Sequence, residues 1–348
     1  MAYQLTILPK ITQPLEDELF SSWLFRLAAI NYTKAHTFCR FHLPGQNIWN
    51  RDIDRLVPDV MIERLALLTE IPFGVIYQTT LRSYEKLLFD QCNATTRQKW
   101  VLTLGVYHRT WKNNGLQFCP ICLTNDKVPY FRKQWRLGLL VACPKCQTLL
   151  HDCCPVCNTP ITFFRSDVGF KFSIAPQDIT TCWQCGFNIR KSPHYPPVIG
   201  TIGFQVKVNR ILITGRWQNS RSSSEYFDVL YHVLKFLRSK SKHFRAFVSL
   251  IISHENLRVN QLSTERDFEN IGTVEREHLL RIAVWILEQW PSRFIDLCKS
   301  SSLTTSIVLK DGRSLPAWFV NEANQHLHTP SASEISVIRA KGKLNHRK

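Results

Sequence analysis

The stretch FCPICLTNDKVPYFRKQWRLGLLVACPKC, residues 118–146, decides how this chain is read. Two Cys-x-x-Cys pairs, Cys119/Cys122 and Cys143/Cys146, stand near its ends. Such a pair is a tight knuckle that presents two thiolates to one ion, and two knuckles roughly 20 residues apart complete a tetrahedral zinc site. Working outward, Cys154/Cys157 and Cys182/Cys185 repeat the pattern, with 20 residues between Cys122 and Cys143 and 24 between Cys157 and Cys182. Sequential pairing gives one site from Cys119, Cys122, Cys143 and Cys146 and a second from Cys154, Cys157, Cys182 and Cys185. A cross-brace, first knuckle with third, stays open and closes its loops less economically. His151 and Cys153 lie between the sites and are alternative ligands, with Cys146 the most replaceable. Gly186, after the last knuckle, suits a left-handed turn. Cys39, Cys92 and Cys298 stand alone and read as buried small residues. Redox use of a single pair is disfavoured, because no thioredoxin-like βαβ pattern surrounds any of the four.

The rest of the composition bounds what such a site serves. The 348 residues are 44% hydrophobic and 20% charged, a globular balance long enough for two or three units. No run reaches the roughly 18 apolar residues of a membrane span, and the first 20 residues have no signal-peptide pattern. A cytoplasmic chain is expected, where cysteines serve as metal ligands or buried thiols rather than disulfides. The net charge is +17, distributed as +1 over residues 1–100, +7 over 101–200 and +9 over 201–348. Two zinc sites of four thiolates each lower the total to about +13 and still leave an excess suited to a polyanion, most simply nucleic acid.

Periodicity makes the fold class mainly α. Leu19, Trp23, Leu24, Leu27 and Ala28 recur at helical spacing between Glu16 and Ile30. Thr33 caps a second helix through Leu43, stopped by Pro44-Gly45. From Val60, two short apolar helices split near Thr69–Phe73, with Pro72 in the first turn of the second. This resembles a helix-turn-helix, and a plain helical bundle fits the spacing equally well. Residues 94–113 read as a basic helix around Trp100, Leu104 and Trp111. SPHYPPVIG, 192–200, marks a boundary. Beyond it, Val229, Leu230, Val233, Leu234 and Leu237 form one apolar stripe, and Leu279, Leu280, Ile282, Ala283, Ile286, Leu287 and Trp290 another. The expected organisation is a helix-turn-helix-like helical domain, 1–113, a tandem zinc-binding domain with short β hairpins, 114–198, a C-terminal helical domain, 199–330, and a basic disordered tail, 331–348.

PLEDELFSSWLFRLA (14–28), FCPICLTNDKVPYFRKQWRL (118–137), ACPKCQTLLHDCCPVC (142–157) and CWQCG (182–186) together resemble the TniQ family, which includes the TnsD proteins. The resemblance covers roughly residues 10–190. Its most specific element is a knuckle followed by Asp126, Tyr130, Arg132 and Trp135 and then a second knuckle. Cys146 departs from it, since the family usually has histidine there, but cysteine is an equally good zinc ligand.

The resemblance implies helix-turn-helix units joined to tandem zinc motifs, two structural zinc ions and no catalysis. It also implies a target-selection role in transposition. Such a protein links a target-recognition element to an AAA+ regulator (TnsC-like) that recruits the transposase. TnsD-type members bind an attachment site in duplex DNA, and others ride on a CRISPR effector complex such as Cascade. The rather short C-terminal part favours the adaptor kind, a homodimer is compatible with it, and no membrane is involved.

Tyr130 and Trp135 are expected in the core. Arg132, Lys133 and Arg136 are expected to alternate away from it, towards DNA phosphate, guide RNA or an acidic partner. Arg238, Lys240, Lys242 and Arg245 form a second basic candidate, and a merely solvated face is the alternative for both clusters. A zinc-dependent nucleic-acid enzyme is the distant reading. The deaminase H-x-E is missing near the knuckles, no GxxxxGK[ST] loop occurs, and a four-thiolate site keeps no open position.

Overall fold

The computed structural model describes residues 6–46, 48–92, 97–165, 178–218, 221–255, 267–310, 312 and 315–328. The basic tail expected at 331–348 lies outside the described residues. The chain divides into two units, one of residues 1–213 with 264–277 and one of residues 214–263 with 278–348.

The first unit begins with helices α1 (Phe20–Ile30), α2 (Ala35–His42), α3 (Ile53–Leu56), α4 (Asp59–Thr69) and α5 (Phe73–Tyr77). In α1, Trp23, Leu24, Leu27 and Ala28 are fully buried, as their spacing requires. No side chain of its own caps this helix. Its first amides are instead satisfied from elsewhere: Leu19 N donates to Phe131 O, Phe20 N to Thr79 O, and Ser21 N to the Asp54 carboxylate. A carboxylate at a helix N-terminus also meets the positive end of the helix dipole.

Helix α4 ends at Glu70, whose φ of 56° is left-handed, and Pro72 follows as the N-cap of α5, one place before the first turn. The expected split therefore exists, and the arrangement is helix-turn-helix-like with a second helix of only five residues.

Residues 97–113 hold no helix, which corrects the basic helix expected over 94–113. Trp100, Val101, Leu102 and Leu104 are all buried, so the segment has no solvent face for a helix to turn outward. It runs extended beside residues 136–138, with Leu102 N on Arg136 O and Gly138 N on Trp100 O. It then forms a hairpin of β1 (Val106–Tyr107) and β2 (Thr110–Trp111), paired Val106 to Trp111 and Tyr107 to Thr110. The two tip residues, His108 and Arg109, both have positive φ, the geometry of a type I′ turn.

Helix α6 (Pro120–Asn125), the hairpin of β3 (Ala142–Cys143) and β4 (Thr148–Leu149), and helix α7 (Thr201–Thr214) follow. One hydrophobic cluster runs from Leu8 through Trp23, Leu65, Phe131 and Phe163 to Ile189. Residues on both sides of position 113 thus share a core.

The second unit carries the hairpin of β5 (Arg216–Trp217) and β6 (Arg221–Ser222), then α8 (Ser223–Leu237), α9 (Lys242–Glu255), α10 (Thr273–Glu288, from His278 onward), α11 (Ser292–Ser300), α12 (Thr305–Val308) and α13 (Ala317–His326). The expected apolar stripes are buried from Phe227 to Leu237 on α8 and from Leu279 to Leu287 on α10, while Trp290 lies past the end of α10 and is half-buried. Aromatic side chains knit the unit: Phe236 stacks on Phe244, and Trp290 on Phe319. No helix among the described residues is long and apolar enough to cross a membrane.

Candidate metal centres

Cys119 is the N-cap of α6, its sulfur accepts from Cys122 N, and Pro120 fills the first helical position, where a missing N–H costs nothing. The helix brings Cys122 one turn on. Opposite it, β3 ends at Cys143 and a tight turn returns through Cys146 to β4. Cys122 Sγ lies 3.7 Å from Cys143 Sγ and 3.5 Å from Cys146 Sγ. In the second cluster, Cys154 and Cys185 sulfurs are 3.7 Å apart, as are those of Cys157 and Cys182.

All ligand atoms within each four-cysteine group lie within 4.8 Å of one another. A tetrahedral ion with metal–sulfur bonds of about 2.3 Å sets its sulfurs about 3.8 Å apart, so both groups fit one ion each. The sequential pairing is realised. His151 is not a ligand: its Nε2 is 2.7 Å from Pro193 O and its ring stacks on Phe118. Cys153 belongs to neither cluster.

Three knuckles share one backbone device that the sequence reading found only at Gly186. Gln147 N donates to Cys143 O, Asn158 N to Cys154 O and Gly186 N to Cys182 O, all close to 2.9 Å. The residue after the second cysteine is left-handed each time, with φ of 52°, 55° and 74°. The first knuckle differs because α6 continues through Leu123, whose N donates to Cys119 O at 3.1 Å. Burial separates the two sites. Cys119 and Cys154 are fully buried, Cys122, Cys143 and Cys182 nearly so, and Cys185 is exposed.

Arg132, Lys133 and Arg136 are not at the surface, which corrects the expectation that they alternate away from the core. Arg132 grips Asp126, the C-cap of α6, through two bonds of 2.7 and 2.6 Å. Its guanidinium also lies 4.1 Å from the Tyr130 ring and 4.7 Å from the Trp135 ring, so both faces are covered. The spacing of acid, Tyr, Arg and Trp is therefore one internal staple. Lys133 donates to Gln78 O and to Ser83 Oγ at 2.8 Å, and burial pulls its pKa below the usual lysine value against the opposing pull of Asp17.

Arg136 is fully buried and all five of its N–H bonds are used. Nε donates to Gly115 O. One terminal nitrogen serves Asp52 and Asp54, and the other serves Asp52 and Leu102 O, over 2.7–3.1 Å. Burial pushes the Asp54 carboxyl up to about 6 while Arg136 pulls it down, which leaves it ionised at neutral pH.

The acidic run of PLEDELF meets this loop residue by residue. Glu16 O accepts from Tyr130 OH, Asp17 O accepts from Lys133 N, and its carboxylate accepts from Gln134 N. Burial raises Asp17 to about 6, with Lys133 opposing. Glu18 pairs with Ser22 and Arg26 and bridges to Arg132 through the backbone. Two residues the sequence did not single out, Asp52 and Asp54, anchor the loop. Their only signal was an acidic pair next to a helix start.

Lys240, Lys242 and Arg245 are exposed and Arg238 half-buried, and all four gather where α8 passes into α9.

Comparison with curated proteins gives no match. The TniQ family model matches residues 9–150, a span that holds α1 to α6, the Arg132 and Arg136 networks and the whole first cysteine cluster. The chain therefore carries a TniQ domain over residues 9–150, the domain of a family whose proteins select targets for transposons.

Proposed function

We propose that the chain is a non-enzymatic target-selection adaptor that links a CRISPR effector complex, or target DNA, to the AAA+ regulator of a transposon. The observation that carries this reading is the TniQ match over residues 9–150. The ion at each cysteine cluster is zinc, held by four thiolates with no position left for a substrate or water, so its part is to fix the fold.

The cluster Arg238, Lys240, Lys242 and Arg245 is the nucleic-acid or partner-facing surface. Lys242 opens α9 at the positive end of its dipole, Arg245 stands within the first turn, and that turn has no acidic residue. Cations there do not help the helix, which favours a role towards an external anion.

The direct-reading alternative, a TnsD-type protein on a specific duplex, is supported by the same cluster and the net charge of +17. A tagged pull-down from cells carrying the neighbouring genes separates the two. A CRISPR ribonucleoprotein in the eluate supports the adaptor, whereas one specific duplex with the ATPase alone supports the direct reader. Metal analysis of the purified chain is expected to return two zinc ions per molecule.

A further inference from the structure

Away from the cysteine clusters, the first unit contains a cavity of about 420 Å³ between α2, residues 43–46 and 48–50, and the tip of the β1–β2 hairpin. This volume lies within the common range for small-molecule sites, roughly 300–1,000 Å³. Its lining holds two arginines, Arg40 and Arg109, and no carboxylate. Both arginines are exposed, and neither guanidinium has a hydrogen bond or ion pair among the described residues. This sets them apart from Arg132 and Arg136, which are saturated by internal partners.

Within the cavity wall, His36 Nε2 is buried without a hydrogen-bond partner among the described residues. Trp49 Nε1 is buried too. It leans on the Cys39 thiol, a weak acceptor, and makes no ordinary hydrogen bond. Buried polar atoms left unpaired are rare and costly, and both belong to residues that line the cavity. Burial, followed by the charges of Arg109 and Arg165, holds His36 down at about 4, so its ring is neutral. Leu43 and Ile48 give the cavity an apolar side, and the Gln46 and Asn50 amides border it.

The hairpin tip provides an independent observation. A type I′ turn favours Asn-Gly because both central residues need positive φ. This tip uses His108 and Arg109, at 46° and 59°, so the backbone bears a conformational cost to place Arg109 at the cavity mouth.

We propose that this cavity binds a nucleoside phosphate, with the phosphate on Arg40 and Arg109 and the base on the apolar side against the Gln46 and Asn50 amides. A bare phosphate would leave most of the volume empty. Guanidinium pairs suit phosphate oxygens, and side-chain amides suit base edges. The nucleotide is either free or the 5′-terminal residue of a strand.

The test is equilibrium binding to the full chain of radiolabelled ATP and of a short single strand carrying either a 5′ phosphate or a 5′ hydroxyl. Saturable ATP binding supports the proposal with a free nucleotide as ligand. Preference for the phosphorylated strand over its hydroxyl twin supports it with a strand end. In either case the double substitution Arg40→Ala/Arg109→Ala is expected to weaken binding about tenfold or more, with an unchanged circular dichroism spectrum. Lys127→Ala, on an exposed loop, is expected to leave binding unchanged. The proposal is overturned if the wild-type chain binds none of the three probes, if the double substitution binds as tightly as wild type, or if the two strands bind equally and ATP does not bind.

Discussion

Replacing Arg136 with Met tests whether the basic loop between the first two knuckles is internal structure or a binding surface. The side chain of methionine is of similar length and apolar, so the space stays filled and the charge is lost. Asp54, fully buried, then keeps only Ser21 N and Ser21 Oγ as donors, Asp52 loses its bidentate partner, and the carbonyls of Gly115 and Leu102 lose one donor each. Removing one partner of a buried ion pair costs about 3–5 kcal/mol. For a unit of this size that lowers the melting temperature by on the order of 10 °C.

The sign of the pH dependence follows from Asp54. Its carboxyl already stands at about 6 in the folded chain, above its ordinary value of 3.8, and it rises further once Arg136 no longer opposes the effect of burial. The folded variant then binds more protons than the unfolded chain, so its stability falls as pH rises. The deficit relative to wild type is expected to be larger at pH 8 than at pH 5.5. Urea denaturation followed by tryptophan fluorescence at both pH values measures it. Adding Asp54→Asn, which removes the stranded charge, is expected to recover part of the loss. A deficit under about 1 kcal/mol at pH 8, in the range of ordinary surface changes, would refute the reasoning.

Three further outcomes follow. Cys119→Ser, at a fully buried ligand, is expected to cut the metal content by one ion and to abolish the near-ultraviolet dichroism of the first unit; Cys185→Ser, at an exposed ligand, should lose one ion while leaving most of that signal. Equal collapse of the signal in both would contradict the burial difference. Glu70→Gly, at a left-handed φ of 56° between α4 and α5, is expected to stabilise the chain by roughly 1 kcal/mol in thermal unfolding, and a lower melting temperature would show that the Glu70 side chain has an unrecognised role. Joint replacement of Arg238, Lys240, Lys242 and Arg245 by Ala is expected to reduce the slope of log affinity for duplex DNA against log salt by roughly 3–4, and an unchanged slope would remove this surface from the nucleic-acid interface.

The cysteine clusters were legible because metal chemistry constrains both residue type and spacing, and because the two knuckle-to-knuckle gaps made sequential closure the short route. The apolar stripes of α1, α8 and α10 were legible for the ordinary reason that one face must be buried. What misled was charge. Arg132, Lys133 and Arg136 read as exposed because charged side chains usually are. The partners of two were out of sight in one dimension, since Asp17 lies 116 residues before Lys133, and Asp54 lies 82 before Arg136, whereas Arg132 pairs with Asp126 only six residues away. The same blindness affected residues 97–113, where Trp100, Leu104 and Trp111 suggest a helix face until Leu102 and Val101 are found buried beside them. The cavity was not legible at all, because it is formed by a helix, a loop and a hairpin tip that share no motif.

The meeting of PLEDELF with the loop 126–136 bears on how this region can be exchanged or inherited. Many zinc fingers are cassettes that can be moved between hosts, since each ion organises its own few side chains. Here the loop carried between two ligands of one ion takes its backbone and side-chain partners from Asp17, Glu18, Asp52 and Asp54, all more than 60 residues upstream of Cys119. A fragment cut at position 114 keeps every cysteine of the two clusters and strips Lys133 of its acceptors and Arg136 of its two carboxylates. The heritable module is therefore the span from about Pro14 to the second knuckle at Cys146, and grafts or chimaeras that divide it separate the metal from the half of the fold that gives its loop a shape.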